Sequence, residues 1–124
     1  MTNRVQIKRA YDAPANSDGY RVLVDRLWPR GISKQTLHHD QWCKDLAPST
    51  DLRKWFDHKP ERWEKFHEDY LAELATEQAT KQIDEILAAT KSGKITLLYG
   101  AKDTEHNQAV VLAELMNRRD QHAR

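Results

Sequence analysis

The chain has a single cysteine, Cys43, so no intrachain disulfide framework braces it, and a reducing compartment is the expectation. No apolar stretch approaches the length of a membrane span, and Met1-Thr2-Asn3-Arg4 does not open a signal peptide. A soluble cytoplasmic protein with no membrane partner is therefore expected. An excess of one charge is missing too. The 20 basic and 19 acidic side chains leave a net charge of +1, which is no nucleic-acid footprint, although a local basic face stays open. There is no Cys-x-x-Cys, no His-Glu-x-x-His and no glycine-rich phosphate loop. His38-His39-Asp40 resembles a metal pair only superficially, because adjacent histidines on one helix point in different directions. No metal site is expected, and nothing names a cofactor. Repeats, low-complexity tracts and linkers are also lacking, so the 124 residues read as one domain, 1–124.

What the chain does have is aromatic mass and a readable order of elements. Four tryptophans and four tyrosines bury large areas each and offset a hydrophilic composition. Arg4-Val5-Gln6-Ile7-Lys8 alternates as a half-buried strand does. Residues 12–19 are turn chemistry, closing a loose hairpin or returning the chain to the next strand. Tyr20 to Leu27 reads as that strand, apolar on both faces near its centre and so inside the sheet. From Ser33 to Lys44 a weak helical stripe of Leu37, Trp42 and Leu46 follows a Ser33 cap. Beside Trp42 and in that helical setting, Cys43 reads as inert and buried. A second helix starts near Ser49, and Pro60 suits the first turn of a longer one. That helix carries Trp63, Phe66, His67, Tyr70, Leu71 and Leu74 on one side and weakens between Thr76 and Thr80. A further helix runs to about Thr90, with Gly93 as its stop. Lys94 to Tyr99 is the clearest strand. The last helix, from about Glu105 to Arg119, buries Ala109, Leu112, Ala113 and Met116. The order predicts a small α/β domain with a short, mainly parallel or mixed sheet flanked by helices.

Two strand ends carry the chemistry-bearing residues. The first is Asp25-Arg26-Leu27-Trp28-Pro29-Arg30-Gly31, which leaves a buried strand for an acid, two arginines, an indole, a proline and a glycine. Pro29 stiffens the turn, Gly31 permits a left-handed backbone, and such a turn can aim two guanidinium forks at a carboxylate or phosphate. The second is Tyr99 to Asn107. If both strands are parallel neighbours, both ends open on one edge of the sheet, where α/β proteins bind ligands beside a helix N-terminus. The site then contains Asp25, Arg26, Arg30, Lys102, Asp103, His106 and Asn107, with Lys34 reaching in from the turn. Trp28 can stack on a ligand. Arg53, His58 and Arg62 form a further polar set, and Arg62 at a helix start calls for a partner, either a protein carboxylate or a ligand anion. Each piece also has a structural use: Asp25-Arg26 as an ion pair, Trp28-Pro29 as packing, Lys102-Asp103-Thr104 as a loop and helix cap. If a reaction occurs, Asp25 or Asp103 suits the general base and His106 its acid–base partner. A carboxylate beside an arginine usually has its pKa lowered, which weakens it as a proton donor.

These residues, with Trp42-x-Lys44-x-Leu46-x-Pro48-Ser49, Leu52-Arg53-x-Trp55-Phe56-x-His58, Arg62-Trp63-x-x-Phe66-x-x-x-Tyr70 and Thr96-Leu97-Leu98-Tyr99-x-Ala101-Lys102-Asp103-x-x-His106-Asn107-x-Ala109, resemble the YeaO-like branch of domain-of-unknown-function family 488. The likeness spans residues 5 to 116. It implies a small α/β fold and no established activity. The longer branch of that family often ends its last strand motif in Cys-His-Arg, where this chain has Glu105-His106-Asn107, so thiol chemistry does not carry over. The leading expectation is a site for a small anionic ligand, phosphate-bearing or nucleotide-like. The alternatives are a nucleic-acid binding module and a non-catalytic protein-interaction domain.

Overall fold

The computed structural model describes residues 3–122. Strand β1 (Val5–Arg9) and strand β2 (Tyr20–Leu23) are joined by a loop that returns the chain rather than closing a hairpin. Then come helix α1 (Lys34–Leu37), strand β3 (Gln41–Trp42), helix α2 (Thr50–Phe56), helix α3 (Trp63–Leu74), helix α4 (Glu77–Ala89), strand β4 (Ile95–Tyr99) and helix α5 (Gln108–His122). The four strands lie in the order β1-β4-β2-β3, and every neighbouring pair is parallel. This is a small α/β domain.

The sheet separates two cores of unequal size. Ile95, Leu97 and Tyr99 of β4 join Val22 and Val24 in a large cluster under α2 to α5, where Phe66, Tyr70, Ile83, Leu112 and Met116 are buried. Leu23 and Leu98 point the other way, into a small cluster with Ala10 and Leu37 against Trp28, Ile32 and Trp42. Alternation along β4 therefore feeds both faces, and all five of its residues are buried.

Ser49 caps α2 as expected, accepting from the Leu52 amide at 3.2 Å. Thr76, read only as the start of a weaker stretch, is instead the cap of α4, accepting from the Ala79 amide at 3.3 Å. Pro60 opens a single 3₁₀ turn, Pro60–Arg62, that leads into α3. Three expectations are corrected. The stretch from Ser33 to Lys44 is not one helix: α1 ends after Leu37, where His38 turns left-handed (φ 53°), and Gln41–Trp42 pairs with β2 as an edge strand. The Asp40 carboxylate, accepting from the Arg21 amide at 2.8 Å, extends that edge pairing. Strand β2 stops at Leu23, although the Val24 amide still donates to Leu98 O at 3.0 Å. The last helix begins at Gln108 rather than Glu105, because Asp103 gathers the Glu105 and His106 amides into a turn first.

Candidate functional site

Because β2 and β4 are parallel neighbours, with Val22 opposite Leu97 and Leu23 opposite Leu98, their carboxyl ends open on the same edge. A cleft of about 420 Å³ lies there. The chain leaving β2 lines it with Asp25, Arg26, Trp28 and Arg30, the chain after β4 with His106, Asn107 and Gln108, and the α2 region with Arg53, Phe56 and His58. Pro48 and Phe66 complete an apolar wall, and the exposed Leu27 and Tyr11 stand at the rim. Among the residues singled out from sequence, Lys34, Arg62, Lys102 and Asp103 are not part of the lining.

Asp25 occupies the junction between the two strand ends. Its Oδ2 accepts from the Gly100 amide at 2.8 Å, and its Oδ1 accepts from the Gln108 carboxamide. No Lys, Arg or His among the described residues pairs with it directly; Arg53 acts only through its field. Burial dominates and pushes the Asp25 carboxyl up to about 6, against the pull of Gly100, Gln108 and Arg53. The expectation that a neighbouring arginine lowers this pKa is thus overturned. Arg26 turns away instead, donating to Pro48 O at 3.1 Å and Ala47 O at 3.3 Å, so Asp25-Arg26 is not an ion pair. Glycine at position 100 permits the arrangement, since a Cβ there would stand 2.9 Å from Asp25 Oδ2.

The turn after Asp25 is stiff in the way its composition implies. Gly31 takes φ 78°, and Tyr11 donates its hydroxyl to Arg30 O at 2.9 Å. Trp28 donates Nε1 to Ile32 O at 2.6 Å and packs edge-on against Trp42 and His39, with centroids 5.4 and 5.1 Å away. Its ring is mostly engaged in packing, which leaves little of it for a ligand to stack on. The Arg30 side chain is exposed and makes no ion pair among the described residues.

On the β4 side, Asp103 accepts from the Glu105 and His106 amides at 2.9 and 3.0 Å. These amides first, and His106 after them, hold its carboxyl below the usual carboxylate range. Asp103 also receives His106 Nδ1–H at 3.0 Å, leaving His106 Nε2 as the free ring nitrogen. Asn107 is buried, donates to Asp103 O at 2.9 Å and accepts from the Val110 amide at 3.1 Å, so it caps α5. His58 reaches the cleft from a doubly left-handed turn after α2, with Asp57 at φ 48° and His58 at φ 54°. Arg62 has its partner within the chain: it donates to Trp55 O and lies over the exposed Trp55 ring, 5.3 Å from its centroid. Cys43 is buried outside the cleft, where Gln82 approaches its sulfur at 3.6 Å and burial first, then Asp45, pushes the thiol up to about 11.

Sequence reading missed Gln108, Phe56, Phe66 and Tyr11 as parts of the cleft. Gln108 had a local signal, as the first helical residue after a strand-end loop. Phe56 and Phe66 had none, because their helical spacing reads as core, and Tyr11 stands in a turn with nothing beside it in the sequence to tie it to the strand ends.

The family model described as "Inactive DUF488-N3 subclade", DUF488-N3i, matches residues 4–124. The uncharacterised protein YeaO of Escherichia coli (strain K12) is 51% identical over 111 residues, which cover 89% of this chain and 94% of that one. The uncharacterised protein Rv3073c of Mycobacterium tuberculosis is 39% identical over 116 residues, covering 94% of this chain and 96% of that one. The uncharacterised protein Mb3100c of Mycobacterium bovis matches with the same figures. No solved structure matches the chain.

Proposed function

The chain belongs to the DUF488-N3i family, described as an inactive subclade, and from that premise we propose that its strand-end cleft binds a small phosphate-bearing anion without turning it over. The observation that carries this reading is the approach of Arg30 and Arg53 to one cleft whose only acidic lining residue among those described is Asp25, with Arg26 beside them held by the Ala47 and Pro48 carbonyls. Guanidinium groups suit phosphate oxygens, and the amino end of α5, entered through Asn107 and Gln108, adds a favourable dipole for an anion. The apolar wall of Phe56 and Phe66 suits the organic part of such a ligand. Binding without turnover accords with the family's description and with the chain's one thiol lying buried elsewhere.

Acid–base turnover is a second reading, and one observation favours it: Asp25 sits in the cleft with its carboxyl pushed up to about 6, close to working pH. Product formation from a bound phosphate ester, abolished in Asp25→Asn, is the result that would select it.

A thermal-shift screen tests the proposal by pairing each phosphate ester with its unphosphorylated form, for instance AMP with adenosine and ethyl phosphate with ethanol. Only the phosphorylated members should raise the melting temperature. Arg53→Ala and Arg30→Ala should each weaken binding about tenfold, the scale of a lost charge-assisted hydrogen bond, while Lys102→Ala should not. Equal shifts from both members of every pair, or a loss in Lys102→Ala alone, would defeat the reading. A short single strand whose binding weakens steeply with salt would favour the nucleic-acid alternative instead.

A further inference from the structure

Asp25 stands apart from the other buried charges of the fold. Most other buried charges in the described residues are matched. Asp18 meets Lys8 and Arg21, and Arg4 meets Asp120 at 3.1 Å. Among the described residues Asp25 has only two neutral donors, the Gly100 amide and the Gln108 carboxamide, one on each oxygen. A carboxylate has about four lone-pair directions, so each oxygen keeps acceptor capacity, and this residue lines the cleft. The three arginines of the cleft do not use that capacity: Arg26 is spent on Ala47 and Pro48 carbonyls, and neither Arg30 nor Arg53 makes an ion pair with Asp25.

We propose that Asp25 is the specificity-determining group of the cleft, accepting a hydrogen bond from an ammonium group of a ligand whose phosphate is held by Arg30 and Arg53. The ligand class is then an amino-bearing phosphomonoester, a zwitterion rather than a simple anion. This inference rests on the anion-binding reading and narrows it. A purely anionic ligand would leave the half-buried carboxylate facing a like charge across a small cleft, whereas an ammonium group answers both the unpaired oxygens and the missing countercharge. Gly100 and Gln108 orient the carboxylate without neutralising it, which keeps its charge for the ligand. Burial raises the carboxyl pKa and the distant field of Arg53 does not offset it, in keeping with a group that no cation among the described residues pairs with directly.

Isothermal titration with ethyl phosphate, phosphoethanolamine and ethanolamine tests the inference. In the wild type, phosphoethanolamine should bind at least about tenfold tighter than ethyl phosphate, a ratio within the range of one charge-assisted bond. Asp25→Asn should move the two in opposite directions, tightening ethyl phosphate and loosening phosphoethanolamine. A structural role for Asp25 would shift both the same way. Equal wild-type affinities for the two phosphates would overturn the inference while leaving the anion reading intact. Binding of ethanolamine as tight as that of phosphoethanolamine, lost in Asp25→Asn, would support the role of Asp25 and defeat the anion reading. No binding by any of the three would overturn both. The wild-type comparison needs no variant, and a melting curve on Asp25→Asn establishes that it is folded.

Discussion

Two aspartates flank strand β2, Asp18 just before it and Asp25 just after it, and they live under opposite regimes. Asp18 is buried, yet it receives Lys8 at 3.0 Å, the Ala15 amide at 3.0 Å and the Arg21 guanidinium. Burial alone would raise its pKa, but these partners outweigh it and hold the carboxyl below the ordinary range. Arg21 in turn donates to Leu37 O at 2.7 Å and His38 O at 2.9 Å, and Thr96 donates to Asp18 O at 2.6 Å. That end of the sheet is closed. At the carboxyl end Asp25 has hydrogen bonds but, among the described residues, no ion pair, and a cleft stands in front of it. One strand thus carries a charge spent on the fold at one end and a charge held in reserve at the other. In the proposed reading that reserved charge serves the ligand rather than the fold.

The largest effect should come from the closed end. Asp18→Asn leaves Arg21 buried without its counter-charge and should cost about 3–5 kcal/mol in denaturant unfolding, the usual penalty for halving a buried pair. The depressed carboxyl adds a pH signature. The stability it contributes is present above the ordinary carboxylate pKa and is lost as pH falls through its lowered native value, so the wild-type and variant curves should converge in acid.

The open end should respond with the opposite sign. The folded-state pKa of Asp25 is raised, so its favourable contribution is present below about 3.8 and disappears as pH climbs through about 6. The gap corresponds to at most on the order of 3 kcal/mol, and less after allowance for its partial exposure. Asp25→Asn, whose amide can still pair with Gly100 and a flipped Gln108, should be more stable than wild type by about 1–2 kcal/mol at pH 8, and the difference should vanish near pH 4. A destabilised Asp25→Asn at pH 8 would erase the contrast between the two aspartates.

The smallest effect sharpens the comparison. Gly100→Ala brings a Cβ within 2.9 Å of Asp25 Oδ2, the movable end of a side chain, so the carboxylate should swing aside. The expected cost is about 1 kcal/mol or less, with a further rise in the Asp25 pKa as the Gly100 amide loses its hold. Carbon-detected NMR titration of the carboxyl checks the second part. An unchanged titration would show that the amide does not tune this group.

Much of this was legible from local sequence. The alternation in Val5 to Lys8, the strand Ile95 to Tyr99 and the cap at Ser49 act over a few residues, so propensity and pattern reveal them. The edge strand Gln41–Trp42 was not legible, because two residues carry no period and only pairing with β2 makes them a strand. Arg62 signalled a need for a partner, but not that the partner is the Trp55 carbonyl and ring. For Asp25, proximity in sequence pointed to Arg26, while the folded chain sends Arg26 to the Ala47 and Pro48 carbonyls.

The sequence by itself determined the family, the α/β class and the two polar strand ends, because each depends on residue types at short spacing. Tertiary structure alone decided that β4 lies beside β2 and parallel to it, which puts those two ends on one edge. It also decided which charges are matched. An ion pair depends on where side chains arrive in space and on how much water burial removes, and neither follows from the order of residues along the chain.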